Sequence, residues 1–209
     1  MSSEQRPAAT AVRPYRKRRR AEAEAETRQR ITEAAVKLHR TVGPARTTWS
    51  GIAEEAGVQR ATVYRHFPDL ATLFDACSSH YMGLNPLPDP APWTEIADPQ
   101  LRLRRALTEL YAWFTRTEDM TGHVLRDIAL MPPIRATARF MAYFEQLGEL
   151  LVAGRREHGR ARARVAAAIG HALAFSTWQS LVREQGLDDE DAVGLMLGMV
   201  AAAGGRRSS

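Results

Sequence analysis

Thr47-Thr48-Trp49-Ser50-Gly51-Ile52-Ala53-Glu54-Glu55-Ala56-Gly57-Val58-Gln59-Arg60-Ala61-Thr62-Val63-Tyr64-Arg65-His66-Phe67 decides the reading of this chain. It reads as two short helices joined by a glycine turn, with a second helix that is polar, cationic and aromatic. Ala53, Gly57 and Val63 set the geometry. A small residue at 53 lets the second helix approach the first, and Gly57 can adopt the left-handed backbone that ends a helix and turns the chain. Val63 points its branched side chain into the seam. Small, glycine, apolar, in that order, is what two steeply crossing helices over a short turn require. The pattern is a helix-turn-helix, and it places DNA recognition ahead of other functions.

Outward from this core the chain reads as helical throughout. Upstream, Ile31, Ala35, Leu38 and Val42 lie at helical spacing as a buried face, and Gly43-Pro44 ends that helix. Thr47 or Thr48 caps the next helix by accepting backbone N–H bonds. Downstream, Phe67-Pro68-Asp69 makes a turn with Asp69 as the next cap, followed by a stripe of Leu70, Leu73, Phe74, Cys77 and Tyr81. Residues 1–20 are rich in Pro, Ser, Ala and Arg and lack apolar periodicity, which predicts a disordered basic arm. Asn85-Pro86-Leu87-Pro88-Asp89-Pro90-Ala91-Pro92 alternates proline and is expected to be a non-helical linker.

The boundaries that follow are an arm at 1–20, a DNA-binding domain at 21–83, a linker at 84–97 and a second helical domain at 98–204. In the second domain, Leu103, Leu107, Leu110 and Phe114 define one helix. A shorter one spans 121–131. Phe140, Phe144, Leu147 and Leu151 mark a third, closed by Glu157-His158-Gly159. Residues 162–185 and 189–203 give a final pair rich in Ala and Gly. No strand pattern persists, and the fold class is all-α.

The stretch Thr47-Thr48, Ile52-Ala53-Glu54-Glu55-Ala56-Gly57-Val58 and Thr62-Val63-Tyr64-Arg65-His66-Phe67-Pro68 strongly resembles the N-terminal signature of the tetracycline-repressor (TetR) family of transcription regulators. The resemblance spans the first third of the chain. It implies a homodimer, a double-stranded DNA operator and an effector pocket in the second domain. One position departs from the pattern: where the family places a phosphate-binding lysine two residues after Pro68, this chain has Leu70.

Charge supports a polyanionic partner. Residues 1–67 hold 14 Lys+Arg against 7 Asp+Glu, while residues 68–209 hold 15 against 17. The excess sits with the helix-turn-helix, where attraction to DNA needs it. Arginine outnumbers lysine 27 to 2, a bias of the kind genomic base composition produces; it does not dictate where net charge lies. Cys77 is the single cysteine, so an intrachain disulfide is excluded. No run of eighteen apolar residues exists and no apolar segment follows the basic N-terminus, so neither a membrane span nor a secretory signal is expected. The expected location is the cytoplasm.

Site residues follow from chemistry. At the start of the recognition helix, Arg60 has the fork to bond guanine O6 and N7, Gln59 the amide to bond adenine, and Thr62 a hydroxyl within the same reach. Tyr64, His66 and Thr48 fit phosphate contacts, and Ala61 and Arg65 complete the DNA-facing set. Tyr64 as a partly buried core aromatic, and His66 as a solvated turn residue, are the competing readings. Arg18, Arg19 and Arg20 close a basic run that reads either as an arm along the DNA or as a solvated tail. In the second domain, Trp113 and Trp178 are candidate walls of an apolar effector pocket, with Tyr143 and His171 as polar handles, although most aromatics there must be core. Ala166, Ala167, Ala168 and Gly170, with Gly194, Gly198 and Ala201, form small-residue faces suited to a dimer through the last two helices. His123 and Asp127 stand four apart, but two ligands without a third do not make a metal site. With no phosphate-binding glycine loop, nucleophile elbow, His-Glu-x-x-His or paired-cysteine motif, neither cofactor nor enzyme activity is expected. The combined expectation is a repressor released from a palindromic operator by a small apolar effector. A ligand-independent architectural or protein-interaction module is the alternative.

Overall fold

A computed structural model describes residues 12–131 and 134–205, in which every regular element is helical. Helix α1 runs Val12–Thr41, α2 Trp49–Glu55, α3 Arg60–His66 and α4 Leu70–Leu84. The expected disordered arm is corrected from Val12 onward, where the chain is already helical; the rest of that arm lies outside the described residues. The reason is local. Arg18 and Arg20 donate to Glu22 and Glu24 one helical turn later, at 2.8 and 3.2 Å, in a run of good helix formers.

The buried face of α1 is also rotated from its expected position. Ile31, Ala35 and His39 point inward, while Val42 is 40% exposed. Ile31, Ala35, Ile52, Val63, Phe67 and Leu73 are all fully or almost fully enclosed and form one core. Gly57 has φ 64 and a Cβ there would meet nothing within 4 Å, so the turn needs glycine for its backbone angle and not for space. Thr48 caps α2 by accepting from the Gly51 amide at 3.0 Å, and Asp69 caps α4 by accepting from Thr72 at 2.7 Å.

The proline segment is not wholly irregular. A single turn, α5 (Ala91–Thr94), forms within it because Pro92 falls in the first turn, where its missing N–H costs nothing. Trp93, on that turn, is completely buried in the second core. The connection is therefore anchored. Trp113 Nε1 donates to the Asn85 carbonyl at 3.1 Å, and the Tyr143 hydroxyl donates to the Pro88 carbonyl at 2.9 Å.

The second core is built by α6 (Pro99–Asp127), α7 (Arg135–Val152), α8 (Gly159–Leu173), α9 (Phe175–Gln179) and α10 (Asp189–Gly204). Two separate helices expected over 103–131 are one helix of 29 residues followed by a 3-10 turn at Ile128–Leu130. Its middle looks polar in sequence, but Thr117 is buried and its hydroxyl donates to the Trp113 carbonyl at 2.8 Å. Helix α7 ends at Val152, with the turn at Gly154 (φ 75), earlier than the expected Glu157-His158-Gly159. The segment expected as one helix over 162–185 bends by 64° between α8 and the stretch from Phe175 to Glu184. Extended backbone at Ala174 makes the break, and the last five residues form a π turn. Buried Arg102 ties the layers: its guanidinium donates to the carbonyls of Ile96, Leu150 and Ala153 at 2.8–3.1 Å. Among the described residues no single helix is long and apolar enough to cross a membrane.

The two cores meet where the end of α6 presses on the loop after α1. Asp127 is 4% exposed and accepts from the Ala45 amide at 3.0 Å and from Arg126 at 2.7 Å. Arg126 also donates to the Val42 carbonyl at 3.1 Å. Gly43, between these contacts, has φ 93, and a Cβ there would stand 2.5 Å from an Asp127 carboxylate oxygen and collide with Arg126. Gly43→Ala should therefore lower stability by at least about 1–3 kcal/mol, the cost of backbone that only glycine adopts freely. Denaturant unfolding checks this, and an unchanged midpoint would show that the loop tolerates a side chain.

Candidate nucleic-acid interface and ligand cavity

Helix α3 buries one side and offers the other. Val63 is enclosed against α2, while Gln59, Arg60, Ala61, Tyr64 and Arg65 are exposed and Thr62 is half-buried. Tyr64 is 39% exposed. Its ring packs against Trp49 with centroids 4.8 Å apart, and its hydroxyl accepts from Arg60 at 2.9 Å. These contacts hold Arg60 along the exposed face of the helix. Trp49 had no role in the sequence reading; its position directly after the Thr48 cap was the available signal.

His66, at the end of α3, is not the solvated turn residue of the competing reading. It is half-buried, its Nε2 has no partner among the described residues, and its carbonyl accepts from Arg28. Burial, then the nearby Arg65 and Arg28, lower its pKa from the ordinary histidine value. Arg28 also lies over the Phe67 ring at 4.0 Å, so it braces the end of α3 from α1. Leu70 is 40% exposed at the start of α4 and offers no donor. Arg18, Arg19 and Arg20 are exposed on α1, two of them paired with glutamates as described.

A cavity of about 250 Å³ lies between the two cores, walled by α1, α4, α6 and α7. Its lining includes Phe74, Met82, Trp113, Met120, Met131 and Phe140. Trp113 lines this cavity. Trp178, Tyr143 and His171 do not, which corrects their expected grouping. Trp178 is wholly enclosed in the second core and its Nε1 donates to Asp189 at 3.0 Å. Tyr143 is turned toward the linker by its bond to Pro88. His171 is exposed near the end of α8, within 3.3 Å of the Thr177 hydroxyl. The bend after α8 separates it from the positions a straight helix would have aligned.

A wider cleft of about 930 Å³ opens between α6, α7, α8 and α9, with Phe114, Phe144 and Phe175 in its walls and Ala166 and Gly170 at its α8 side. Among the described residues no group of three or more His, Cys, Asp and Glu side chains is placed to hold a metal ion. The Asp127 carboxylate is held by Arg126 and Ala45, so it is committed to structure. The hydrogen bond from Arg126 lowers its pKa below the usual carboxylate value.

Residues 31–77 match the family model described as bacterial regulatory proteins of the tetR family. That segment carries the DNA-binding domain of the TetR family. The fold of the chain is that of TetR-like regulators of known structure. One from Rhodococcus sp. RHA1 is 19% identical with a TM-score of 0.62, covering 84% of this chain and 93% of that one. NalD, the secondary repressor of the MexAB-OprM multidrug efflux pump in Pseudomonas aeruginosa, is 25% identical with a TM-score of 0.54, covering 87% and 97%. AibR, solved with isovaleryl coenzyme A and operator DNA, is 21% identical with a TM-score of 0.59, covering 83% and 97%. No curated protein sequence matches significantly.

His39 is a second residue that the sequence did not single out. It sits eight positions after Ile31 on the buried face of α1, is 4% exposed, and lines the cavity edge-on to Phe74 at 5.1 Å. Burial lowers its pKa from 6.5 to about 4, with the Asp127 charge opposing the shift. The unfolded chain therefore binds a proton more readily than the folded one between those values. Stability should be full above pH 6.5 and fall by about 3 kcal/mol toward pH 4 on account of this residue. Comparing chemical denaturation of the wild type and His39→Gln across that range isolates the effect. A constant difference between the two proteins would assign the acid sensitivity to other groups.

Proposed function

We propose that the protein is a homodimeric cytoplasmic repressor that binds a palindromic operator through α3 and is released by a small apolar effector held between its two cores. The observation that supports the DNA reading is the exposed side of α3, where Arg60 bonds the hydroxyl of Tyr64, whose ring packs on Trp49, while Val63 anchors the opposite side. The assigned readers are Gln59, Arg60 and Thr62 at base edges, with Thr48, Tyr64 and Arg65 at phosphates and the basic α1 extension adding sequence-independent attraction.

Dimerisation through α8 and α10 is supported by an outer face of small residues. Ala166, Ala167, Gly170, Gly194, Gly198 and Ala201 are exposed, and a Cβ at any of the three glycines would meet nothing within 4 Å. The space is therefore not taken by packing within the subunit, and Leu195 beside it is 51% exposed. A second copy on this face would set two recognition helices for successive major grooves, about 34–36 Å apart. An effector that weakens operator binding a hundredfold must favour the release geometry by about 2.7 kcal/mol.

The test is selection of bound sequences from random DNA, followed by Arg60→Ala on the selected operator. Loss of roughly 1–3 kcal/mol of discrimination at one base pair per half-site is expected. Unchanged affinity and preference would remove Arg60 from the base-reading set.

A further inference from the structure

The cavity between the cores is specific in shape and chemistry. Its volume of about 250 Å³ exceeds the roughly 150 Å³ engineered cavity known to hold benzene, so it suits a molecule of one to two rings. Met82, Met120 and Met131 line it beside Phe74, Trp113 and Phe140. Thioethers adapt their shape to a planar guest and make favourable contacts with aromatic edges.

Ser78, Ser79, Tyr81, Thr121 and Thr137 bring neutral hydroxyls to the lining, and its charged or titratable nitrogen groups are Arg139 and His39. Arg139 is exposed and lines the cavity from α7, so a charge paired with it would be screened by water. His39 is the titratable nitrogen group in the wall from α1; it is 4% exposed, and its Nε2 is buried with no partner. A neutral imidazole can offer one donor and one acceptor according to tautomer. A hydroxyl can answer either one, whereas a carbonyl answers only the donor. A buried carboxylate or ammonium would find no opposite charge at His39 and would be costly to desolvate.

We infer that this cavity binds a compact, uncharged aromatic alcohol, with its rings among the methionines and its hydroxyl hydrogen-bonded to the His39 imidazole. This rests on the second domain acting as a sensor, and it names the chemistry sensed. The guest would touch α1 and α4 of the DNA-binding core as well as α6 and α7, so its binding is felt on both sides of the junction.

Calorimetry of the full-length protein without DNA tests it, using 2-naphthol, naphthalene and 2-naphthoate as probes. 2-Naphthol should bind about tenfold more tightly than naphthalene, the worth of one hydrogen bond, and 2-naphthoate should bind more weakly than 2-naphthol. His39→Phe should keep the cavity apolar and bring the ratio of naphthol to naphthalene affinity to about one. As a second reading on the wild type, 2-naphthol, and not naphthalene, should shift the His39 ring-nitrogen resonances, which holds even if the variant fails to fold. Equal binding of naphthol and naphthalene, preferential binding of naphthoate, a ratio unaltered in His39→Phe, or no binding of any probe would each overturn the inference. If naphthol binds as described and operator affinity is unaltered, the ligand assignment stands and the proposed effector-driven release fails.

Discussion

The carboxylate of Asp127 is the contact on which the arrangement of the two cores depends. It lies at the C-terminal end of α6, where a negative charge is not favoured by the helix dipole. Its position is tolerated because Arg126 and the Ala45 amide both donate to it. The consequence is a fixed meeting point between the longest helix of the second core and the loop that delivers the chain into α2. Gly43 is required there because the carboxylate and the Arg126 guanidinium occupy the volume a side chain would need. Arg40 and Asp119, paired at 2.7 Å, and the contacts of α1 with α6 support the same junction, although an exposed pair of that kind contributes little on its own.

This junction also borders the apolar cavity, through Pro44 and Ile128. Phe74 and Cys77 reach it from α4 and His39 from α1, so residues of the DNA-binding core form part of its wall. Burial raises the Cys77 thiol to a pKa of about 12, which keeps it protonated and makes it an inert part of that wall. From this cavity to α3 the structural path is short, running through α1 and the loop at Gly43 to α2, whose side packs against α3.

The helix-turn-helix was legible in the sequence because its determinants are local. Gly57, the Thr48 cap, Asp69 and the buried Val63 each act within a few residues, and the structure has them in those roles. The second domain was less legible for the opposite reason. Thr117 looks like a helix interruption until the carbonyl that receives its hydroxyl is known, and the bend at Ala174 carries no proline or glycine to announce it. Trp113 and Trp178 are both enclosed in the second core, yet Trp113, on α6 beside α4 and α7, also borders the cavity, while Trp178, on α9 beyond the bend after α8, does not. His39 could have been noticed as a polar residue on an apolar face. What it lines depends on α4, α6 and α7, which come from distant parts of the chain.

Hydrogen exchange of the wild type and Asp127→Ala, followed amide by amide, tests most directly whether this junction controls the recognition helix. The account predicts faster exchange in the turn at Pro44–Arg46 together with faster exchange in α3, while α8 and α10 remain as protected as before. Faster exchange in the turn with unaltered protection in α3 would contradict it, because the DNA-reading helix would then be positioned independently of the second core.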